Sequence, residues 1–240
     1  MKRFLVIALA LAIVGAPALA AVNLITNGDF ETAGSGNPGA TVGWTDWSNG
    51  AGQKTQGVKT ADTYNGGSDA HGGTLAWYCY CKSSYSGGIY QEVTVTPGVT
   101  YVLDGWWKII GDSGGVPWTE VGLLNGPWNK TVVDSGVTAT IWKRDNSNTP
   151  NTLWPYPNSG TKVYAQLSTE PFWAGGLGTN VVTAASNKIT VWMKVGQGST
   201  TPKNRVRFDD MSLAQVPEPG SLLVLGAGLV GVLRVIRRRR

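Results

Sequence analysis

The chemistry open to this chain is bounded by a short inventory of reactive side chains. A single histidine, His71, stands in the stretch Ser68-Asp69-Ala70-His71-Gly72-Gly73. One imidazole cannot build a histidine cluster for a metal and leaves a lone base for any catalytic triad. In that glycine-rich context it reads as a turn residue. Glycoside hydrolysis needs only two carboxylates across a bond, and Glu92, Glu120 and Glu170 are available, yet nothing in their spacing pairs them. Cys79 and Cys81 alternate onto one face of a strand, which disfavours a bridge between them. A bond to another chain and two buried thiols both stay open. Gly226, Gly228 and Gly231 match the glycine spacing of a dinucleotide loop, but only nine residues follow Gly231. Such a loop needs a helix after it and an acidic residue about twenty positions on, so a nucleotide site is excluded.

Tryptophan is the informative excess, with 11 in the chain. Most large aromatics belong to cores, but strand phase separates three of them. Ile189, Val191, Met193 and Val195 form one face of a strand, leaving Trp192 with Thr190 and Lys194. Trp106 shares a face with Asp104 and Lys108, and Trp142 with Thr140 and Arg144. Tyr78 and Tyr80 lie on the phase opposite Cys79. A flat ring among hydrogen-bonding groups suits a sugar, whose C–H face packs on the ring while polar neighbours meet its hydroxyls. Trp106, Trp142 and Trp192, flanked by Tyr78 and Tyr80, are therefore the candidate glycan contacts. Trp107, in phase with Leu103 and Ile109, is expected in the core. The alternative is that the long Trp- and Pro-rich region from Gly111 to Gly178 folds over the polar faces and buries them.

The elements that would carry these residues are strands. Short alternating runs between turn clusters predict strands near 22–30, 74–81, 88–96, 99–110, 136–143, 162–168, 187–195 and 204–214. Ala33 to Ala40 and Asn65 to Gly73 read as loops. Ile89, Val93 and Val95 alternate with Tyr90, Glu92 and Thr94, and Pro97-Gly98 supplies a turn. An apolar sheet face needs a second layer, and strands with long returns suit a jelly roll.

Both ends of the chain are addresses. Residues 1–20 have a basic start (Lys2, Arg3), an apolar middle and Ala18-Leu19-Ala20, the pattern of a secretory signal peptide. Residues 216–240 contain Pro217-Glu218-Pro219, a short apolar run and a terminal arginine cluster. This tail resembles the PEP-CTERM sorting signal of exported bacterial proteins. The resemblance implies processing by an exosortase after transient anchoring in the inner membrane through a short transmembrane helix. It also implies a cell-surface or extracellular destination, often beside exopolysaccharide in a biofilm. Removing Lys2, Arg3, Arg234 and Arg237 to Arg240 leaves 13 of the 20 basic residues, and removing Glu218 leaves 14 of the 15 acidic ones. The body, 21–215, is near neutral. The formal charge of +5 thus reports on targeting, and nucleic acid loses its electrostatic support.

Within the body, Asn27-Gly28-Asp29-Phe30-Glu31 closes the opening segment. A Q-x-V-x-V-x-P-G-x-x-Y hairpin follows at Gln91 to Tyr101, and V-x-F-D-D-M-S-L closes the domain at Val206 to Leu213. In this order they resemble carbohydrate-binding modules of the family four and nine type, jelly-roll β-sandwiches of the galactose-binding-like superfamily. That resemblance implies a non-catalytic domain that holds polysaccharide. An enzyme acting on the same polymer and a purely structural matrix protein are the competing classes. It also implies a structural calcium near the meeting of first and last strands, with Glu31 and Asp209 as carboxylates and carbonyls of the Gln53 to Lys59 loop completing the shell. The plainer reading is that these acids cap turns or pair with Arg205 or Arg207.

Overall fold

The computed structural model describes residues 22–36, 38–49, 54–60, 70–81, 85–111, 117–135, 140–146, 165–167, 180–197 and 204–217. The signal-peptide segment, Glu218, Pro219 and the rest of the tail lie outside them. Asn23–Ala214 forms one compact unit. Among the described residues no helix is long and apolar enough to cross a membrane.

Strands dominate, as the alternation predicts. In chain order they are β1 (Ala33–Gly36), β2 (Gly39–Thr41), β3 (Thr45–Ser48), β4 (Lys54–Thr60), β5 (Leu75–Cys81), β6 (Tyr85–Thr94), β7 (Thr100–Gly111), β8 (Pro117–Leu124), β9 (Thr140–Asn146), β10 (Ala165–Gln166), β11 (Val181–Thr183), β12 (Lys188–Gln197) and β13 (Asn204–Gln215). Among the described residues one short helix, α1 (Lys130–Ser135), lies between β8 and β9. An eight-stranded sheet runs β1-β2-β4-β5-β13-β7-β10, with β11 also on β7, and a five-stranded sheet runs β3-β6-β12-β8-β9. The fold is an antiparallel jelly-roll β-sandwich.

The core takes one phase from each sheet. Trp77, Cys79, Leu103, Trp107, Val206 and Phe208 come from the larger sheet, and they pack with Ile89, Val93, Val121, Leu123, Ile189, Val191, Met193 and Val195 from the smaller. Each buried apolar side chain contributes roughly 1.5–3 kcal/mol. β12 is the middle of its sheet: Val191 faces Gln91 on β6 and Leu123 on β8. Its apolar residues read in the sequence as one face are the ones that join the main core.

Four expectations are corrected. First, residues 22–30 form turns, not a strand. Asn27 and Phe30 adopt φ of 52° and 53°, and the Asn27 amide bridges Thr32 and Val42, donating to both carbonyls and accepting from Thr32 N–H. The segment still joins the last strand: Leu24 N–H donates to Leu213 C=O at 2.9 Å and Met211 N–H to Gly28 C=O at 2.8 Å. A Cβ on Gly28 would stand 2.0 Å from the Met211 carbonyl oxygen, so this close approach requires glycine. Second, Ala33 to Ala40 contains β1 and most of β2 rather than a loop. Third, the Gln53 to Lys59 segment, expected as a loop offering carbonyls to a metal, lies from Lys54 onward in β4, which pairs with β5 along its length; Gln53 lies outside the described residues. Fourth, Gln91 to Tyr101 is not a hairpin. β6 and β7 belong to different sheets, so Pro97-Gly98 turns an arch across the core. Gln91 sits in the core phase of β6, where its amide accepts from Thr26 N–H and donates to the Thr26 and Gly43 carbonyls.

Candidate functional site

Of the candidate contacts, Trp106 and the tyrosines lie on the outer face of the eight-stranded sheet. Alternation puts Trp77 and Cys79 of β5 inward and Tyr78 and Tyr80 outward. On β7 it puts Trp107 inward, fully buried, and Asp104, Trp106 and Lys108 outward. β13 runs between these two strands and carries Arg207 opposite Tyr78. The Arg207 guanidinium carbon lies 4.0 Å from the Tyr78 ring centroid, a cation–π contact. Tyr78 and Tyr80 stack at 6.4 Å and 15°. Tyr78 and Arg207 are only 6% and 1% exposed, so Tyr78, expected as a glycan contact, is buried against Arg207. Tyr80 and Trp106 are half-buried. Beyond Trp106, Gln166 of β10 faces it across the ladder and donates to Asp104 at 2.7 Å.

A turn from the far side of the sheet completes this face. His71 stacks on Trp106 with centroids 3.8 Å apart and planes at 14°. Its Nδ1 hydrogen-bonds Asp210 Oδ2 at 2.6 Å. Its backbone N–H and that of Gly72 donate to Asp209 Oδ2 at 2.7 and 3.2 Å. Glu31 then accepts from the Thr74 and Leu75 N–H groups, both at 2.8 Å, and from the Thr74 hydroxyl. Burial works to raise the Glu31 carboxyl, but these hydrogen bonds outweigh it and hold the group below its ordinary value. Burial pushes Asp209 up to about 7, against the N–H groups of His71, Gly72 and Asp210, with the Asp210 charge adding to the rise.

Among the described residues, these acids are engaged by N–H donors rather than by a set of calcium ligands. Calcium takes roughly six to eight oxygen ligands, whereas Glu31 and Asp209 face backbone N–H donors of residues 71–75. The carbonyls expected to help belong to β4. Among the described residues, no group of three or more His, Cys, Asp or Glu side chains could hold a metal. The arrangement matches the plainer reading, in which carboxylates cap a turn.

The five-stranded sheet corrects the rest. Trp192 does point away from the core, but it is 1% exposed in a second cluster with Trp47, Leu124 and Val133, against which Tyr90, Trp128 and Val132 pack. The segment from Asn125 through α1 is its cover, and β12 holds that cover with its polar phase. Thr190 Oγ1 donates to Gly126 C=O at 2.8 Å, and Lys194 Nζ to Val133 C=O at 3.2 Å. Lys194 also pairs with buried Glu120 at 3.4 Å. Tyr90 and Trp128 stack at 4.1 Å and 3°. Trp142 sits on β9 at the register position opposite Gly122, on the sheet that Trp106 does not share; its side chain lies outside the description. The three tryptophans are therefore not brought together.

Of the carboxylates weighed for hydrolysis, the two that are described are each engaged elsewhere. Glu92 is bound by Lys188 and accepts from Trp128 N–H at 2.9 Å, interactions that hold its carboxyl below the ordinary value. Glu120 is buried with Lys194, and Glu170 lies outside the described residues. Cys79 is buried in the core; the Cys81 side chain lies outside the description. Sequence reasoning missed His71, Asp210, Arg207 and Gln166 as members of the outer face. The only signal was phase, which put Arg207 opposite Phe208.

A family profile for the PEP-CTERM protein-sorting motif matches residues 215–240, so the chain carries that motif. No curated protein matches the chain. Among solved structures, it is similar to a family 61 carbohydrate-binding module in complex with β-1,4-galactotriose. The identity is 16% over 81% of this chain and 99% of that one, with a TM-score of 0.48. A family 22 xylan-binding domain from Paenibacillus barcinonensis is 14% identical over 84% of this chain and 99% of that one, with a TM-score of 0.44. An arabinose-bound α-L-arabinofuranosidase is 14% identical over 84% of this chain but 27% of its own length, with a TM-score of 0.46.

Proposed function

We propose that this chain is an exported, non-catalytic glycan-binding protein that holds an extracellular polysaccharide against the outer face of the eight-stranded sheet, through Trp106 and Tyr80. The observation that carries this reading is the grouping on one sheet face of two half-buried aromatic rings with the Asp104–Gln166 pair and the His71 imidazole. Rings take the C–H face of a pyranose, and the polar groups take its hydroxyls. On the opposite sheet, the outward aromatics whose side chains are described, Trp47, Tyr90 and Trp192, pack with Trp128 and α1 in a cluster of their own. The sorting motif at 215–240 supports export, with an exosortase as processing partner and the inner membrane as a temporary anchor.

The test is affinity electrophoresis of the exported protein through the producing cell's own exopolysaccharide, with xylan and β-1,4-galactan as reference polymers. Trp106→Ala is expected to weaken retardation. If stacking on this ring resembles base stacking on aromatics, the loss is about 1–3 kcal/mol, or about 5- to 150-fold in affinity. Release of new reducing ends from any of these polymers would instead support a hydrolase. Absence of retardation on all three would leave a matrix protein without a glycan site.

A further inference from the structure

We infer that His71 is a positioning residue for Trp106, fixing the indole in the orientation that meets the polymer. The inference rests on the binding role proposed above for Trp106. A tryptophan on an outward strand position has two side-chain torsions to order when a ligand stacks on it, and ordering it in advance strengthens binding. His71 supplies that order by lying parallel on one face of the indole at 3.8 Å. The indole can then present to ligand only its opposite face and its edge.

The imidazole is itself held from several directions. Asp210 takes Nδ1, and Asp209 takes the backbone N–H groups of His71 and Gly72. A Cβ on Gly72 would stand 2.8 Å from Asp210 Oδ2, so a side chain there would press on the carboxylate that holds the ring. Gly73 has φ +56°, and a Cβ there would meet Glu31 Oε1 at 2.2 Å. The Gly-Gly pair after His71 is thus what allows Asp209, Asp210 and Glu31 to grip one short turn. The grips of Asp209 and Asp210 span more than a hundred residues between β13 and the turn. An isolated surface turn has no need of them, whereas a ring that must stay flat on Trp106 does.

The experiment separates the ring from the polar contact. His71→Phe keeps a stacking ring and loses the bond to Asp210, and His71→Asn keeps a polar side chain and loses the ring. On xylan, β-1,4-galactan and the producing cell's exopolysaccharide, His71→Phe is expected to bind within about twofold of wild type. His71→Asn is expected to bind about 2- to 10-fold more weakly, the range that an aromatic pair is worth. In a Trp106→Ala background, His71→Asn is expected to have no further effect, because the indole it positions is gone. Wild-type or tighter binding by His71→Asn, or an equal loss with and without Trp106, would overturn the inference. Wild-type affinity in Trp106→Ala would instead overturn the glycan reading beneath it.

Discussion

Trp192→Ala separates packing from binding on the two faces of the sandwich. Trp192 is 1% exposed and packs with Trp47, Leu124 and Val133 under the Asn125 segment and α1. Truncating a packed aromatic of this kind costs roughly 3–5 kcal/mol. For a domain of this size each kcal/mol moves the melting temperature by about 2–4 °C, so the variant should melt about 6–20 °C lower. Trp192→Phe should lose less: it keeps a ring in the cluster and removes an indole N–H that has no acceptor among the described residues. The assay is a thermal melt of the exported protein, paired with affinity electrophoresis run well below both transitions. Folded Trp192→Ala should be retarded like wild type, because the ring lies on the sheet opposite to Trp106. Trp107→Ala should melt as poorly as Trp192→Ala, and the half-buried Trp106 should lose less stability than either. The result that refutes the reasoning is Trp192→Ala with a wild-type melt and lost retardation, which would mean that the cover opens and the five-stranded sheet binds polymer.

Three further outcomes follow from the carboxylates and the tail. Burial raises Asp209 from 3.8 to about 7, so in that interval the native state holds a proton that the unfolded chain has released. Stability should therefore fall as pH rises from about 4 to about 7, by at most about 4 kcal/mol, and Asp209→Asn should flatten that slope in denaturant titrations. Glu31 and Glu92, held below 4.5, act in the other sense, their contribution being present above that value and lost as pH falls below it. Because Glu31 and Asp209 face N–H donors, a chelator should leave the melt unchanged, and a chelator-dependent drop that Glu31→Gln removes would restore a structural calcium. Glu218→Ala, within the motif matched at 215–240, should leave export intact and keep unprocessed protein in the membrane fraction; normal release of that variant would count against exosortase processing.

Phase was the legible part of the sequence. Alternation in β12 separated Ile189, Val191, Met193 and Val195 from Trp192 correctly, and alternation in β7 separated Trp107 from Trp106. It could not say whether an outward face stays open, because that depends on a cover of six helical residues and a Pro-Trp turn too short to show periodicity. β1 and β2 were hidden because Ala-Gly-Ser-Gly has the composition of a loop and becomes a strand only through its neighbours. The Pro97-Gly98 arch was read as a hairpin because turn chemistry is the same whether the chain returns to its own sheet or crosses to the other. His71 was read as a local turn residue since its partners, Asp209 and Asp210, lie 138 and 139 positions away. Glu31 and Asp209 both end on the turn at residues 71–75, but carboxylates alone do not reveal whether they will face a cation or an amide.

The position of β13 bears on how the protein would carry load. The strand holds Arg207 and the two aspartates that support the candidate binding face, and it ends at Gln215, two residues before Pro217. If the face binds polymer and the tail anchors the chain as proposed, a pull on the polymer would load β13, the strand that leads into the tail. β13 is flanked by β5 and β7, and antiparallel ladder bonds lie across the strand axis. Tension along β13 thus loads many of those bonds together in shear, where an edge strand would let them peel apart one by one. Asn23 adds a clasp at the tail end, donating to Met211 C=O and accepting from Leu213 N–H. A central strand loaded in this way resists extraction better than an edge strand does.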